Sequence, residues 1–325
     1  MNILIIRFTS LGDLVTLEPT FRAIRHFYKD AHITFVTTGA GKGLYEDSLY
    51  FDEYILHVGI LKTVKAIPNK KFDLVINLQC NKPSHYISLS LQKDKIVNKS
   101  FNFFQKIFGI KTRSKSLDEL LMACGIEEIK AKEYFKNHFL ITLPFKDEKE
   151  LKQKFTSKFD NKKVIALSTG SSKRWKSKKW GKENYKNLIL KLKNEFGIVL
   201  IGTELEEEDE AYIIKECKDY LISYVNKTDL IKLKSILKTV DLYIGNDSGP
   251  SHIAAGVGTP TITIFCSTSI KHCVKFEKYN GKHLYIKPSE DIKCYPCYKS
   301  ICPTKHECVQ NITVTNIYTL VKEIL

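Results

Sequence analysis

Short apolar runs alternate with amphipathic segments through the first half of the chain. The run from Asn2 to Arg7 predicts a buried strand. The segment from Val15 to Tyr28 carries apolar residues at three- and four-residue spacing, which predicts one helix. The runs from His32 to Thr37 and from Phe72 to Leu78 predict two further strands. Strands that alternate with helices indicate a parallel sheet with helices on both faces.

The same alternation resumes after a charged, mixed segment at residues 143–163, which predicts a surface helix and a linker. Further along, the pattern predicts strands at 164–168, 198–201, 242–244 and 261–265, and helices at 184–196, 204–217 and 230–237. We therefore expect two α/β domains, residues 1–155 and 156–325, each long enough to bury its own core. Because ligands of open parallel sheets bind beyond the carboxyl ends of the strands, the loops that follow strands are the candidate sites.

The charge balance leaves three kinds of partner open. The formal net charge is +15, from 51 Lys and Arg against 36 Asp and Glu. This excess indicates a lysine-rich surface without a particular partner, attraction to an anionic membrane or glycolipid, or nucleic-acid binding. The basic residues are scattered along the chain, which argues against nucleic acid. The first residues do not form a signal peptide, and no run approaches the roughly 18 apolar residues of a membrane span, so we expect a cytoplasmic protein.

The loop from Asp247 to His252 carries the most chemical information. It follows the apolar strand and leads into a run of small residues, so that free backbone N–H groups and a helix N-terminus meet at one point. Ser248 and Gly249 lie where a phosphate would bind, and Asp247 suits a hydroxyl-rich group such as a sugar. His252 either points to this ligand or is a histidine whose bonds are satisfied within the fold.

Two other loops after strands carry polar groups of a related kind. Thr169 and Gly170 follow a strand and precede a run in which six of ten residues are basic, a combination that suits a diphosphate. The alternative is a solvated lysine-rich loop, although both tryptophans of the chain lie in it. Glu204 ends the next strand, where it either binds a ribose or acts as an acid in the first turn of a helix.

The loop after the first strand contains Asp13. This carboxylate lies close to a helix N-terminus, so that Asp13 or Ser10 is either a helix cap or a group with a chemical role. Gly12 permits a close approach of the backbone. The loop lacks the three spaced glycines of dinucleotide-binding enzymes, which argues against a dehydrogenase.

Nine cysteines fall into two groups. Five are dispersed and are expected to be buried or incidental thiols: Cys80, Cys124, Cys217, Cys266 and Cys273. Four are clustered near the C-terminus: Cys294, Cys297, Cys302 and Cys308. The clustered thiols either bind zinc or another metal, form two disulfides, or stay free; a reducing cytosol disfavours the disulfides.

These loops, in this order, resemble glycosyltransferase family 9, the lipopolysaccharide heptosyltransferases. The resemblance covers nearly the whole chain and rests on three motifs besides the loop at Asp247: Ser10-Leu11-Gly12-Asp13, Lys178-Lys179-Trp180-Gly181-Lys182, and Gly202-Thr203-Glu204. It implies a GT-B fold, in which two Rossmann-like domains face each other across a cleft. The N-terminal domain would bind the acceptor and the C-terminal domain the nucleotide sugar.

The resemblance also implies an inverting, metal-independent enzyme with ADP-heptose as donor. Asp13 corresponds to the catalytic base, Lys178 to the lysine of the donor phosphates and Glu204 to the ribose-binding acid; Asp247 and His252 match the Asp-x-Gly-x-x-His of the donor site. The register of the lysine is open, because Lys173 and Arg174 precede Lys178. The chain has no Asp-x-Asp metal motif, and no cofactor beyond the donor is expected.

The implied acceptor is the lipid A–core glycolipid at the inner membrane leaflet, with peripheral membrane contact and no nucleic acid. Two other functions stay open at this point. One is a different nucleotide-sugar enzyme of GT-B architecture, such as an epimerase, which needs no acceptor. The other is a basic, zinc-stapled nucleic-acid-binding protein.

Overall fold

The computed structural model describes residues 1–98, 117–270, 278–289 and 291–325. The chain forms two compact units, Met1–Pro144 and Phe145–Leu325. The N-terminal unit contains β1 (Asn2–Ile6), α1 (Leu11–Thr16), α2 (Glu18–Phe27), β2 (His32–Thr37), α3 (Gly39–Tyr45), β3 (Glu53–Leu56), α4 (Ile60–Ala66), β4 (Phe72–Asn77), α5 (Lys82–Leu89), β5 (Lys93–Asn98), α6 (Leu117–Cys124) and α7 (Glu128–His138).

The C-terminal unit repeats the alternation of strands and helices. It contains α8 (Lys149–Lys158), β6 (Val164–Ser168), α9 (Lys182–Leu192), β7 (Gly197–Gly202), α10 (Glu207–Cys217), β8 (Leu221–Val225), α11 (Leu230–Thr239), β9 (Leu242–Asn246), α12 (Gly249–Gly256), β10 (Thr261–Ile264), β11 (His283–Ile286), α13 (Glu307–Asn311) and α14 (Val314–Ile324). Short 3-10 turns lie at Lys176–Lys178, Glu204–Glu206 and Lys218–Tyr220.

Each unit is built on one parallel sheet. The strand order is β3-β2-β1-β4-β5 in the N-terminal unit and β11-β10-β9-β6-β7-β8 in the C-terminal unit. Every described strand pair is parallel. The central strands β1 and β6 are almost entirely buried, because helices cover both faces of each sheet. The predicted pair of Rossmann-like α/β domains is therefore confirmed.

The boundary between the units lies before α8, between Pro144 and Phe145, whereas the sequence predicts it between residues 155 and 156. Helix α8 belongs to the C-terminal unit because the residues that lead into it are bonded to α11. The Lys232 ammonium contacts the Glu148 carboxylate, and the Ser235 hydroxyl donates to the carbonyl of Lys146 at 2.8 Å. Two buried residues, Leu151 and Phe155, anchor this segment. The charged residues around them obscure the apolar pattern that would predict their burial.

The segment from Val15 to Tyr28, predicted as one helix, forms two. Helix α1 ends at Thr16, and α2 starts at Glu18 with Pro19 in its first turn, where proline's missing N–H costs nothing. Glu18 is fully buried and pairs with Arg22, while the Tyr50 hydroxyl donates to it at 2.6 Å. Within the same helix, Phe21 is buried in the core.

No helix among the described residues is both long and apolar enough to cross a bilayer.

Candidate active site

The candidate site of the C-terminal unit lies at the carboxyl ends of β6 and β9. These two strands are neighbours at the centre of the sheet. From β6 the chain continues outward through β7 to β8, whereas from β9 it continues in the opposite direction through β10 to β11. The strand order therefore reverses between β6 and β9, which is the place where open parallel sheets bind their ligands.

Asn246, the last residue of β9, joins the loops around this reversal. Its buried side-chain amide donates to the carbonyls of Thr169 and Gly170 at 2.8 and 2.9 Å, and its oxygen accepts from the N–H of Trp180 at 3.0 Å. All of these groups are buried. Each hydrogen bond therefore lies in a low-dielectric environment, where it is stronger than the same bond in water. Asn246 thereby fixes both loops next to its neighbour Asp247.

Asp247 and Lys178 form an ion pair at this point. The Lys178 ammonium lies 2.6 Å from Oδ2 of Asp247, and the same oxygen accepts a hydrogen bond from the Thr268 hydroxyl at 2.7 Å. The side chain of Asp247 is 7% exposed and that of Lys178 is 19% exposed. Lys178 also lies 5.5 Å from the centre of the Trp175 ring. The Lys178 ammonium is therefore held in place by Asp247 and remains partly exposed to solvent.

Burial and polar contacts act on Asp247 in opposite directions. Burial raises its pKa, but the charge and hydrogen bond of Lys178, the Thr268 hydroxyl and the nearby His252 lower it, and the net pKa lies below the ordinary value. Asp247 is therefore charged at neutral pH. The part of the folding free energy that depends on this carboxylate is present above the pKa of an unfolded aspartate and is lost as the pH falls through the lower folded pKa.

Helix α12 starts directly at this carboxylate. Ser248 is its N-cap, with an extended backbone, and Pro250 lies in its first turn. The first N–H groups of a helix have no partner within the helix, and the dipole adds positive charge there. One turn further on, the buried ring of His252 lies 3.1 Å from the Tyr279 hydroxyl through Nδ1. Ser248, Gly249 and His252 thus lie at the start of this helix, directly after Asp247 in the chain.

The loop after β7 carries two acids with different surroundings. Glu206 is buried; its carboxylate accepts from the backbone N–H and the hydroxyl of Thr203 at 2.8 and 2.9 Å. A Cβ at Gly170 would lie 2.5 Å from Oε1 of Glu206, so a side chain at this point of the β6 loop would require the Glu206 carboxylate to move. Glu204 is exposed at the start of the 3-10 turn. Both acids therefore lie in the first turn of the 3-10 helix; Glu206 is the buried acid of its cap, and Glu204 faces solvent.

The basic run that precedes Lys178 is divided between the core and solvent. Trp180 is fully buried and donates from Nε1 to the carbonyl of Ile312 at 2.8 Å. Lys173 and Arg174 are exposed. Lys178 is the lysine of the run that contacts Asp247.

The cysteine-rich segment braces the two loops that hold Asp247. The Tyr298 N–H donates to the carbonyl of Ser267 at 3.0 Å, and the Tyr295 hydroxyl donates to the carbonyl of Thr268 at 3.1 Å. The Ser177 N–H donates to the carbonyl of Ser300 at 3.1 Å. The residues on either side of the ion pair, Ser177 and Thr268, are thereby tied to the same segment.

The eight cysteines that the structure describes form no disulfide. Within the same residues, no group of three or more His, Cys, Asp or Glu side chains is placed to hold a metal ion. Cys124, Cys217, Cys266 and Cys308 are buried, and Cys273 lies outside the described residues. Burial, followed by the nearby Cys302 and Cys294, raises the pKa of Cys308 to about 11, which keeps that thiol protonated.

The N-terminal unit has its own reversal of strand order, between β1 and β4. The loop after β1 is bound to the loop after β4: the N–H groups of Phe8 and Thr9 donate to Oε1 of Gln79 at 2.9 and 3.1 Å. The Arg7 guanidinium donates to the carbonyl of Leu78 at 2.7 Å. This loop leads into α1, which carries Asp13 at the carboxyl end of the sheet.

Asp13 both caps its helix and faces solvent. Its Oδ2 accepts from the Ser10 N–H and hydroxyl at 3.1 and 2.9 Å, and it lies 2.9 Å from the Arg7 guanidinium. The side chain of Asp13 is nevertheless 57% exposed, whereas that of Arg7 is 11% exposed. The carboxylate is therefore held in place through one oxygen and is open to a molecule that approaches from solvent.

Sequence reasoning missed several residues that position the site. Asn246, Thr268 and Gln79 each follow or end a strand at the carboxyl edge, so the rule that selected Asp247 also selects them. Arg7 ends the apolar run that predicts β1. Its link to Asp13 depends on how the loop folds, and no short-range pattern reveals it.

Comparison with known proteins agrees with this geometry. The family model described as glycosyltransferase family 9 (heptosyltransferase) matches residues 127–307. Lipooligosaccharide heptosyltransferase 2 of Campylobacter jejuni is 27% identical, over 98% of this chain and 96% of that protein. The structure of the E. coli ADP-heptose lps heptosyltransferase II matches with a TM-score of 0.76 at 15% identity, over 100% and 98% of the two chains. E. coli heptosyltransferase WaaC with ADP-2-deoxy-2-fluoro heptose matches with a TM-score of 0.64 at 15% identity, over 99% of both chains.

Proposed function

Because the chain belongs to glycosyltransferase family 9, a family of heptosyltransferases, we propose that it transfers a heptose from ADP-heptose to the inner core of lipopolysaccharide or lipooligosaccharide. The relatives support the donor and the acceptor by name: a C. jejuni relative is a lipooligosaccharide heptosyltransferase, and the E. coli enzymes are described with ADP-heptose or its fluoro analogue. The observation that carries the proposal is the Lys178–Asp247 pair at the reversal of strand order.

The C-terminal unit supplies the donor site in this proposal. The diphosphate of ADP-heptose binds to the Lys178 ammonium and to the N–H groups at the start of α12, around Ser248 and Gly249. Thr169 and Gly170 provide further polar backbone at the adjacent strand end. Glu204 accepts hydrogen bonds from the ribose, which its exposure at the end of β7 permits.

Asp247 and His252 act next to the leaving group. As the bond between the anomeric carbon and the β-phosphate oxygen breaks, negative charge develops on the departing ADP. Lys178 stabilises that charge best if its position is fixed beforehand, and Asp247 fixes it. In this proposal Asp247 also binds sugar hydroxyls, and the contact between His252 and Tyr279 supports a fixed orientation of the His252 ring. With this cation in place, we propose that transfer needs no divalent metal and no further cofactor.

The N-terminal unit binds the acceptor and supplies the base. An acceptor hydroxyl is a weak nucleophile at neutral pH, and Asp13 removes its proton as the oxygen attacks the anomeric carbon. Direct attack on the face opposite to ADP inverts the configuration at this carbon. The exposed carboxylate and its fixed orientation support Asp13 in this role.

The acceptor in this proposal is the lipid A–core glycolipid, a phosphorylated amphiphile at the inner leaflet of the cytoplasmic membrane. A net charge of +15 favours this anionic partner, and the protein acts from the cytoplasm at the membrane surface without binding nucleic acid.

The proposal is tested by incubating the protein with ADP-heptose and lipid A–core acceptors of increasing length, with EDTA present. We expect ADP release that requires one of the acceptors, and a product in which the anomeric configuration of the heptose is inverted. Sugar isomerised without an acceptor would instead identify an epimerase. Salt-sensitive binding of RNA or DNA without binding of ADP-heptose would overturn the enzyme assignment, and activity lost in EDTA and restored by a divalent metal would overturn metal independence.

A further inference from the structure

Helices α4 and α5 cover one face of the N-terminal sheet, and their outer sides combine apolar and basic residues. They pack against each other and, through Ile60, Val64 and Ile87, against the buried strands. The residues on the outside define what we term the α4–α5 face: Leu61, Lys62, Lys65, Lys82, Tyr86 and Leu89.

The apolar residues of the α4–α5 face are large and strongly exposed. Leu61 is 78% exposed, Tyr86 60% and Leu89 67%. Tyr86 and Leu89 are three residues apart on α5, so they lie on the same side of that helix. Val58, which lies just before α4, is another exposed apolar residue, with 66% of its surface accessible. Exposed aliphatic and aromatic side chains grouped on adjacent helices mark a surface that contacts an apolar environment.

The charge of the same region is almost entirely positive. Residues 57–93 contain six lysines and a single acid, Asp73. Asp73 accepts the N–H of Asn2 at 2.6 Å and is half-buried, so it does not neutralise the outer surface. Within the described part of the chain, Lys62, Lys65 and Lys82 take part in no ion pair. Three exposed ammonium groups, without an ion pair among the described residues, therefore lie on the same two helices as the exposed apolar residues.

We propose that the α4–α5 face binds an anionic membrane surface, with Leu61, Tyr86 and Leu89 inserted at the headgroup level and the lysines on lipid phosphates. Helices with an apolar and basic outer side lie in the interface plane in this way. A second copy of the chain fits this face less well, because a two-fold contact would bring the same lysines together. The inference rests on the proposed function, in which the acceptor is a membrane lipid, and adds which surface meets the bilayer.

The test compares two variants of the full chain in which exposed leucines are replaced by acids. Leu61→Glu combined with Leu89→Glu places two acids on the α4–α5 face. Leu49→Glu is the control for an acid introduced elsewhere on the same unit, because Leu49 is 90% exposed and lies in the segment between α3 and β3. Binding is measured by flotation with vesicles of equal parts phosphatidylglycerol and phosphatidylcholine, and with vesicles of phosphatidylcholine alone.

We expect the unmodified protein and Leu49→Glu to float with the anionic vesicles and to be released by salt, and the double variant to bind at least about tenfold more weakly. The double variant should still bind ADP-heptose and turn over an acceptor without lipid chains, which separates this inference from the proposed function. Equal flotation of both variants would overturn the inference. So would a concentration-dependent dimer that the double variant abolishes while vesicle binding persists.

Discussion

Replacing Asp13 by asparagine is expected to lower the turnover of ADP-heptose and acceptor by about 10²- to 10⁴-fold, the usual contribution of a general base. Asparagine keeps the size of the side chain and still accepts the Ser10 N–H, so the helix start is preserved. It takes no proton at neutral pH, however. Single-turnover kinetics with a saturating donor measure the effect, and calorimetric titration of ADP should show an unchanged affinity, because Asp13 does not belong to the donor site.

The control for this variant is Asp30→Asn, which changes an exposed carboxylate of the same unit in the turn after α2. Asp30→Asn should leave turnover unchanged. Turnover in Asp13→Asn equal to that of the unmodified protein would remove Asp13 from the mechanism. A loss of thermal stability in place of a loss of turnover would reduce its role to that of a helix cap.

Replacing Lys178 by alanine is expected to weaken the binding of ADP by about 10- to 100-fold, the value of one charge-assisted hydrogen bond. The same change leaves the buried Asp247 carboxylate without its cation, although Thr268 still donates to it. We therefore also expect the free energy of unfolding to fall by roughly 1–3 kcal/mol. Titration calorimetry with ADP and urea denaturation measure the two effects separately.

Lys173→Ala is the matched control, since Lys173 lies in the same basic run but is exposed. It should leave both ADP affinity and stability unchanged. The reverse result, in which Lys173→Ala weakens ADP binding and Lys178→Ala does not, would show that the donor-phosphate lysine was assigned in the wrong register. The structural link between Lys178 and Asp247 would then be an ion pair of the fold alone.

The periodicity of the sequence predicted the architecture because parallel strands buried on both faces read as continuous apolar runs. The strands β1, β2, β4, β6, β7, β9 and β10 were all found in this way. Edge strands were missed: β5 reads Lys-Asp-Lys-Ile-Val-Asn, and its charged half faces solvent. The division between α1 and α2 falls just before Pro19, and a proline within a helical pattern is a local signal for such a break, which the apolar spacing of the segment obscured.

The site was predicted in part, because the rule that ligands bind after the strands selects residues by position. It found Asp13, Lys178 and Asp247, and the structure brings the last two together. The rule selects positions along the chain, but it does not show which side chains contact each other. Asn246, buried and bonded to two loops, and the brace from Tyr295 and Tyr298 arise from contacts between residues far apart in sequence.

The proposed donor site is best tested by a structure of the protein with ADP-heptose bound. We expect the diphosphate to contact the Lys178 ammonium and the N–H groups at the start of α12, with the ribose at Glu204 and the heptose next to Asp247. A nucleotide sugar bound elsewhere on the C-terminal unit, without contact to Lys178 or Asp247, would overturn this assignment.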